Sequence, residues 1–231
     1  MIQISNLSKK YGETVVFSDL NYIFENACIY GLVGRNGAGK TTLLNILSNY
    51  DKNYTGVISI DRKKMNKVDY LDMPVAYAMD QPSFFNELTI YENLLLIASS
   101  RKIKKQEAFD KIERILDGLG LKKYENYSPL ELSKGTMQRL NNACAMIQEE
   151  KITIFDEPFS GLDPVQMKLL ENVIVEFHKK EKGIYIISSH DIECLQNVCD
   201  KCLLLHNGQI REINMEEVDR EEIAKILSEG E

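Results

Sequence analysis

Apolar and polar positions along the chain fall into two kinds of pattern. Residues 2–7 and 14–24 read as β-hairpin strands at the start. Residues 28–33 form a continuous apolar stretch, as in a buried strand, which stops at a glycine-rich turn. A helix over 40–48 is expected directly after that turn. Two further apolar runs, 152–155 and 184–187, predict more buried strands. Strand and helix signals alternate, so the chain is expected to be an α/β protein with a largely parallel sheet.

Between the strands at 28–33 and 152–155 the pattern turns helical. Thr89 and Glu92 form a capping box that opens an apolar helix over 90–99. Ala108, Ile112, Ile115, Leu116 and Leu119 recur at helical spacing, and Gly118 and Gly120 mark the stop. A third helix begins at Ser133, with Met137, Leu140, Cys144 and Ile147 expected on one face. Asp163 and Pro164 then supply the N-cap and first turn of a further helix. The expected organisation is one domain over 1–231. Its core takes residues 1–82 and 149–231, and a helical lobe of about 83–148 is inserted between them.

Composition narrows the classes of function. The formal charge of −7 is concentrated in residues 212–231, which hold eight acidic and two basic side chains. The nearly neutral remainder does not match the basic footprint of a nucleic-acid binder, so no nucleic-acid partner is expected. The tail reads as a solvated terminal helix. No run of eighteen or more apolar residues occurs, and the start lacks a charged, then apolar, leader pattern, so a cytoplasmic location is expected. Cys194, Cys199 and Cys202 share part of an iron–sulfur spacing, but no fourth cysteine follows them. They sit in an amphipathic helix running into a strand and are expected to be ordinary buried thiols.

The chemistry begins at the glycine-rich turn. Gly34, Arg35, Asn36, Gly37, Ala38, Gly39, Lys40 and Thr41 fit the P-loop pattern G-x-x-x-x-G-K-[ST], with Thr42 next. It lies between a predicted strand and a predicted helix, as the motif requires. Glycines let successive backbone N–H groups turn inward around phosphate oxygens, and the helix N-terminus adds positive potential. Lys40 is suited to the β- and γ-phosphates of a nucleoside triphosphate, and the Thr41 hydroxyl to Mg²⁺; the motif by itself leaves many NTPase families open. The strand at 152–155 runs into Asp156 and Glu157. Asp156 is expected to hold the Mg²⁺, and Glu157 to orient and deprotonate an attacking water.

Ahead of that strand stands Leu132-Ser-Lys-Gly-Thr-Met-Gln-Arg139. This segment resembles the L-S-G-G-Q signature of the ATP-binding cassette (ABC) family. Ser133 and Gly135 match, whereas Lys134 and Thr136 depart from the pattern. Nearly the whole chain follows the family order. Tyr11 resembles the aromatic that stacks on adenine, and Gln81 the Q-loop glutamine that reaches Mg²⁺ and water. Asp163, in Ser160-Gly-Leu-Asp163, resembles the D-loop, and His190 the switch histidine that contacts the γ-phosphate.

The resemblance implies a P-loop NTPase fold, a RecA-like core with an antiparallel β subdomain and an inserted helical subdomain. It also implies a head-to-tail dimer, a homodimer or a paired cassette, in which Ser133 and Gly135 serve the partner's ATP. A separate transmembrane permease would be the partner, with this chain peripheral on the cytoplasmic face of the membrane. Phe84 and Phe85 fall where family cassettes receive a helix of that permease. The short stretch after His190 leans towards an exporter. The alternatives are a soluble ABC ATPase without a membrane partner and a non-hydrolysing regulatory clamp; intact Glu157 and His190 speak against the second.

Overall fold

A computed structural model describes residues 1–65, 68, 72–190 and 192–214. The first strand, β1 (Ile2–Tyr11), turns at Gly12, whose φ of 57° suits glycine, and returns antiparallel as β2 (Thr14–Phe24). Next come β3 (Cys28–Val33), α1 (Lys40–Leu47), β4 (Thr55–Ile60) and the short β5 (Lys63–Lys64). Together β2, β1, β4 and β5, in that order, form a four-stranded antiparallel sheet.

The chain then enters a second sheet at β6 (Val75–Ala78). Three helices follow: α2 (Ile90–Ser100), α3 (Lys105–Gly118) and α4 (Lys134–Met146). They lead to β7 (Ile152–Asp156), α5 (Pro164–Glu181) and β8 (Ile184–Ser189). The described chain closes with the short α6 (Ile192–Gln196), β9 (Lys201–His206) and β10 (Gln209–Ile213). The second sheet runs β10-β9-β3-β8-β7-β6 and is parallel except for β10 at its edge. Every residue of β3, β7 and β8 is buried, which explains their unbroken apolar runs.

Because side chains alternate across a strand, the parallel sheet feeds two cores. Ile29, Val33, Phe155, Tyr185 and Ile187 pack with Leu94, Ile112, Leu140 and Ile174 from the helices on one face. Tyr30, Leu32, Ile154 and Ile186 pack with Leu43, Leu44 and Leu47 of α1 on the other. Leu20 and Phe24 of the antiparallel sheet join that second core. Strand ends align across the sheet, with Val33 opposite Ser189 and Asp156 opposite Ser188. The carboxyl ends of parallel strands are where α/β proteins build ligand sites.

Local signals were obeyed closely in α2. Thr89 Oγ1 accepts from the Glu92 N–H at 3.2 Å, and Glu92 Oε2 accepts from the Thr89 N–H at 2.8 Å. Helix α4 differs from expectation. Leu140 and Ile147 are buried, but Met137 and Cys144 are only half-buried, while Gln138, Arg139, Asn141 and Asn142 are buried around the rest of the helix. The reason is position: α4 is packed against α2 and α3 as well as β6 and β7. All five cysteines are free, with Cys28, Cys194 and Cys202 buried, and burial pushes the Cys199 thiol well above its usual range. Most of the acidic tail lies outside the described residues. Among the described residues, no helix is long and apolar enough to cross a membrane.

Candidate active site

The loop after β3 is shaped by its glycines. Gly37 and Gly39 hold φ values of 79° and 100°, and a Cβ on Gly39 would stand 2.7 Å from Val16 Cγ1. Gly39 is also the N-cap of α1 and supplies no side-chain cap to the first N–H groups of the helix. Lys40 folds back over the loop, its Nζ donating to the Gly34 carbonyl at 2.6 Å. Beside the loop is a cavity of about 450 Å³ lined by Tyr11, Arg35, Asn36, Gly37, Gly39, Lys40, Thr41, Thr42, Asp80 and Glu157, among others. A second cavity, about 550 Å³, lies over β1 and β2 beside Lys9 and Tyr54. It contains none of the strand-end carboxylates, so size does not choose the site.

Strand β7 delivers its two carboxylates to different surroundings. Asp156 is fully buried and accepts from Ser188 Oγ at 2.5 Å. Tyr77 O–H lies 3.4 Å from its other oxygen and 3.0 Å from Asn45 Oδ1. Burial pushes the Asp156 carboxyl up; hydrogen bonds from Ser188 and Thr41 oppose this, and the charges of Asp80 and Glu157 add to it. Glu157 turns out of the strand at φ 49°. Its N–H donates to Ser188 Oγ at 2.9 Å, so one hydroxyl ties both acidic residues to β8. The Glu157 side chain spans the site, with Oε1 3.7 Å from Lys40 Nζ and Oε2 2.9 Å from His190 Nδ1. A base flanked by a cation and an imidazole, at the edge of a phosphate-shaped loop, is equipped to take a proton from water.

Helix α4 steadies these loops from behind. Gln138 Nε2 donates to the Glu157 carbonyl at 3.3 Å, Asn142 Nδ2 to Pro158 O at 3.2 Å, and Asn141 Nδ2 to Met79 O at 2.7 Å. Sequence reading missed these amides, together with Tyr77, Asn45 and the bridging role of Ser188. Their only signal was polar side chains at positions a single-faced helix or a buried strand would fill with apolar ones.

Other expected site residues lie as follows. Tyr11 is exposed at the cavity rim, donating to Asp51 Oδ2 at 3.1 Å. Ser133 caps α4, accepting from the Thr136 N–H at 3.3 Å, and lines a separate cavity of about 520 Å³ with Arg139 and Gln166. Gly135 is pressed against the D-loop, where a Cβ would meet Gly161 O at 2.9 Å. Asp163 caps α5 through the Gln166 N–H at 2.9 Å. In the turn after β6, Asp80 and the expected Gln81 are both exposed, and Asp80 is the one that lines the P-loop cavity.

The donor set suits a hard cation. Thr41 and Asp80 offer oxygen at the cavity, with Asp156 hydrogen-bonded directly behind Thr41. Among the described residues, no three His, Cys, Asp or Glu side chains make a metal site by themselves. Mg²⁺ takes few protein carboxylates and completes its shell with phosphates and water.

A family model described as ABC transporter matches residues 17–160, more than half of the chain. The chain belongs to the ABC transporter family. It is 30% identical over 222 residues to the bacitracin transport ATP-binding protein BcrA of Enterococcus faecalis, covering 95% of this chain and 71% of that one. It is 29% identical over 211 residues to the tungstate uptake system ATP-binding protein TupC of Peptoclostridium acidaminophilum, covering 91% and 97%. Among solved structures it is similar to the ATP-binding subunit of an ABC transporter, with a TM-score of 0.85 and 26% identity over 99% of this chain and 95% of that one. The ABC cassette fold, a P-loop NTPase of mixed α/β type, is therefore established for this chain, as expected from its sequence.

Proposed function

We propose that this ABC protein is the ATP-hydrolysing subunit of a transporter, working as a head-to-tail pair of cassettes that drives a separate transmembrane permease from the cytoplasmic face. In this reading Tyr11 stacks on adenine, residues 34–39 and Thr42 cradle the phosphates, and Lys40 neutralises them. Thr41 and Asp156 would hold Mg²⁺, which when bound would supply positive charge against that developing on the phosphates. Glu157 takes the proton of the attacking water, held between Lys40 and His190, and His190 reaches the γ-phosphate. The expected lean towards export gains no support: a relative named for uptake matches 91% of this chain and one named only for transport matches 95%.

The observation that carries the paired arrangement is that Ser133 lines one cavity and Lys40 another. A cap whose amides suit phosphate, yet which does not line its own chain's phosphate cavity, has the nucleotide of a second cassette to serve. Asp163 and Gly161, beside Gly135, would then carry contact between the two sites.

Phosphate release from mixed variants tests this. Lys40→Ala and Ser133→Arg chains should each be inactive alone, while Ser133→Arg still binds ATP. Mixed, they build one site with both defects and one with a normal P-loop facing a normal signature, so activity should return. Wild-type turnover by Ser133→Arg at concentrations where it is monomeric would overturn the shared site.

A further inference from the structure

The turn after β6 presents two polar side chains to the site's neighbourhood, Asp80 and Gln81. Their environments differ. Both are exposed, but Asp80 lines the same cavity as Lys40, Thr41 and Glu157, whereas Gln81 is not among the residues lining it. Two features hold this register. β6 pairs with β7 up to Ala78 opposite Phe155, so the turn leaves the sheet beside Asp156. The Met79 carbonyl is then anchored by Asn141 of α4 at 2.7 Å, one residue before Asp80. The negative charge of Asp80 is felt at both Asp156 and Tyr77, where, after burial, it adds to the upward push on each group.

We propose that Asp80, not Gln81, is the residue of this turn that engages the divalent cation accompanying the nucleotide, as a second carboxylate beside Asp156. This rests on the nucleotide-hydrolysing reading above. The chemical consequence separates a carboxylate from an amide. Glutamine would offer a neutral carbonyl oxygen, compatible with phosphate whether or not a cation is present. Asp80 adds a negative charge to a cavity edge that already carries Glu157 and backs onto Asp156. With the cation bound, that charge attracts it; without the cation, the charge repels the polyphosphate. Nucleotide affinity in this chain should therefore depend on the divalent cation more steeply than an amide in the turn would allow.

The test uses Mn²⁺ and ADP with the full chain, so no turnover is needed. Free and bound Mn²⁺ are separated by electron paramagnetic resonance in the presence of ADP, and ADP binding is measured by calorimetry in EDTA. Asp80→Asn, nearly isosteric at an exposed position, should weaken Mn²⁺ in the ADP complex by about 10–100-fold, as loss of a metal-supporting group does. The same variant should bind ADP about threefold more tightly in EDTA, because a like charge has been removed. A merely structural role would lower both affinities together. Gln81→Ala should leave both within about twofold on the same reasoning. The proposal is overturned if Asp80→Asn changes neither value, if it lowers both, or if the Mn²⁺ loss appears in Gln81→Ala instead. Failure of the wild type to bind ADP with Mn²⁺ would sink the hydrolase reading and this inference with it. Wild-type binding with an unchanged Asp80→Asn would overturn this inference alone.

Discussion

Glu157 is held at φ 49°, in the left-handed region where a side chain costs an L-residue about 1–2 kcal/mol. The strand end tolerates this because Ser188 and Gln138 clamp the residue's N–H and carbonyl. Two substitutions separate the backbone cost from the carboxylate's chemistry. Glu157→Gln keeps the strained backbone and the shape but removes the base, and should slow phosphate release by about 10²–10⁴-fold. That is roughly 3–5 kcal/mol on the barrier. Glu157→Gly also removes the base, and with it the contacts to Lys40 and His190, but glycine adopts this φ freely. Against the relieved 1–2 kcal/mol stands the greater freedom of glycine in the unfolded chain, about 0.5–1 kcal/mol. The Gly variant should therefore be about 0.5–1 kcal/mol more stable than the Gln variant. For a chain of this size that raises the melting temperature by about 1–4 °C. Neither variant carries the charge, so lost ionic contacts cancel in the comparison. Phosphate release and calorimetric melting measure the two effects. A Gln variant that turns over near the wild-type rate would refute the base assignment, and a Gly variant melting below the Gln variant would refute the strain argument.

Phe84 and Phe85 are adjacent in sequence but opposite in environment: Phe84 packs on the helical core, whereas Phe85 is 58% exposed. Phe84→Ser should lower unfolding free energy by about 2–3 kcal/mol in denaturant titrations. Phe85→Ser should stay within about 0.5 kcal/mol, keep isolated ATPase activity and lose transport with the permease; unfolding of both variants would sink that division. Lys111 on α3 is 1% exposed and pairs with Glu149 at 2.6 Å and Glu181 at 3.2 Å, tying the helical part to α5. Lys111→Met keeps the stem but strands two carboxylates together. It should cost about 2–3 kcal/mol, less than a fully buried pair because Glu149 is partly hydrated; unchanged stability would refute it.

Patterns with a reach of one turn or one strand are legible in the sequence alone. The apolar runs of β3, β7 and β8, the Thr89–Glu92 box and the Asp163 cap all follow from neighbours within a few residues. The P-loop is legible for the same reason, since its glycines, Lys40 and α1 act on one short stretch. What the tertiary structure decided lies between residues far apart in the chain. No local pattern announced β4, β6 and β10, whose pairing depends on partners elsewhere in each sheet. The buried amides of α4 look like solvent-facing residues until the helix is enclosed, when Asn141 meets Met79 O, 62 positions away. Ser188 reaches Glu157 across 31 positions, and only because β7 and β8 lie side by side in register. A strand that shifts by one residue turns every side chain to the other face, so which side chains meet across the sheet is set by pairing, not by residue type.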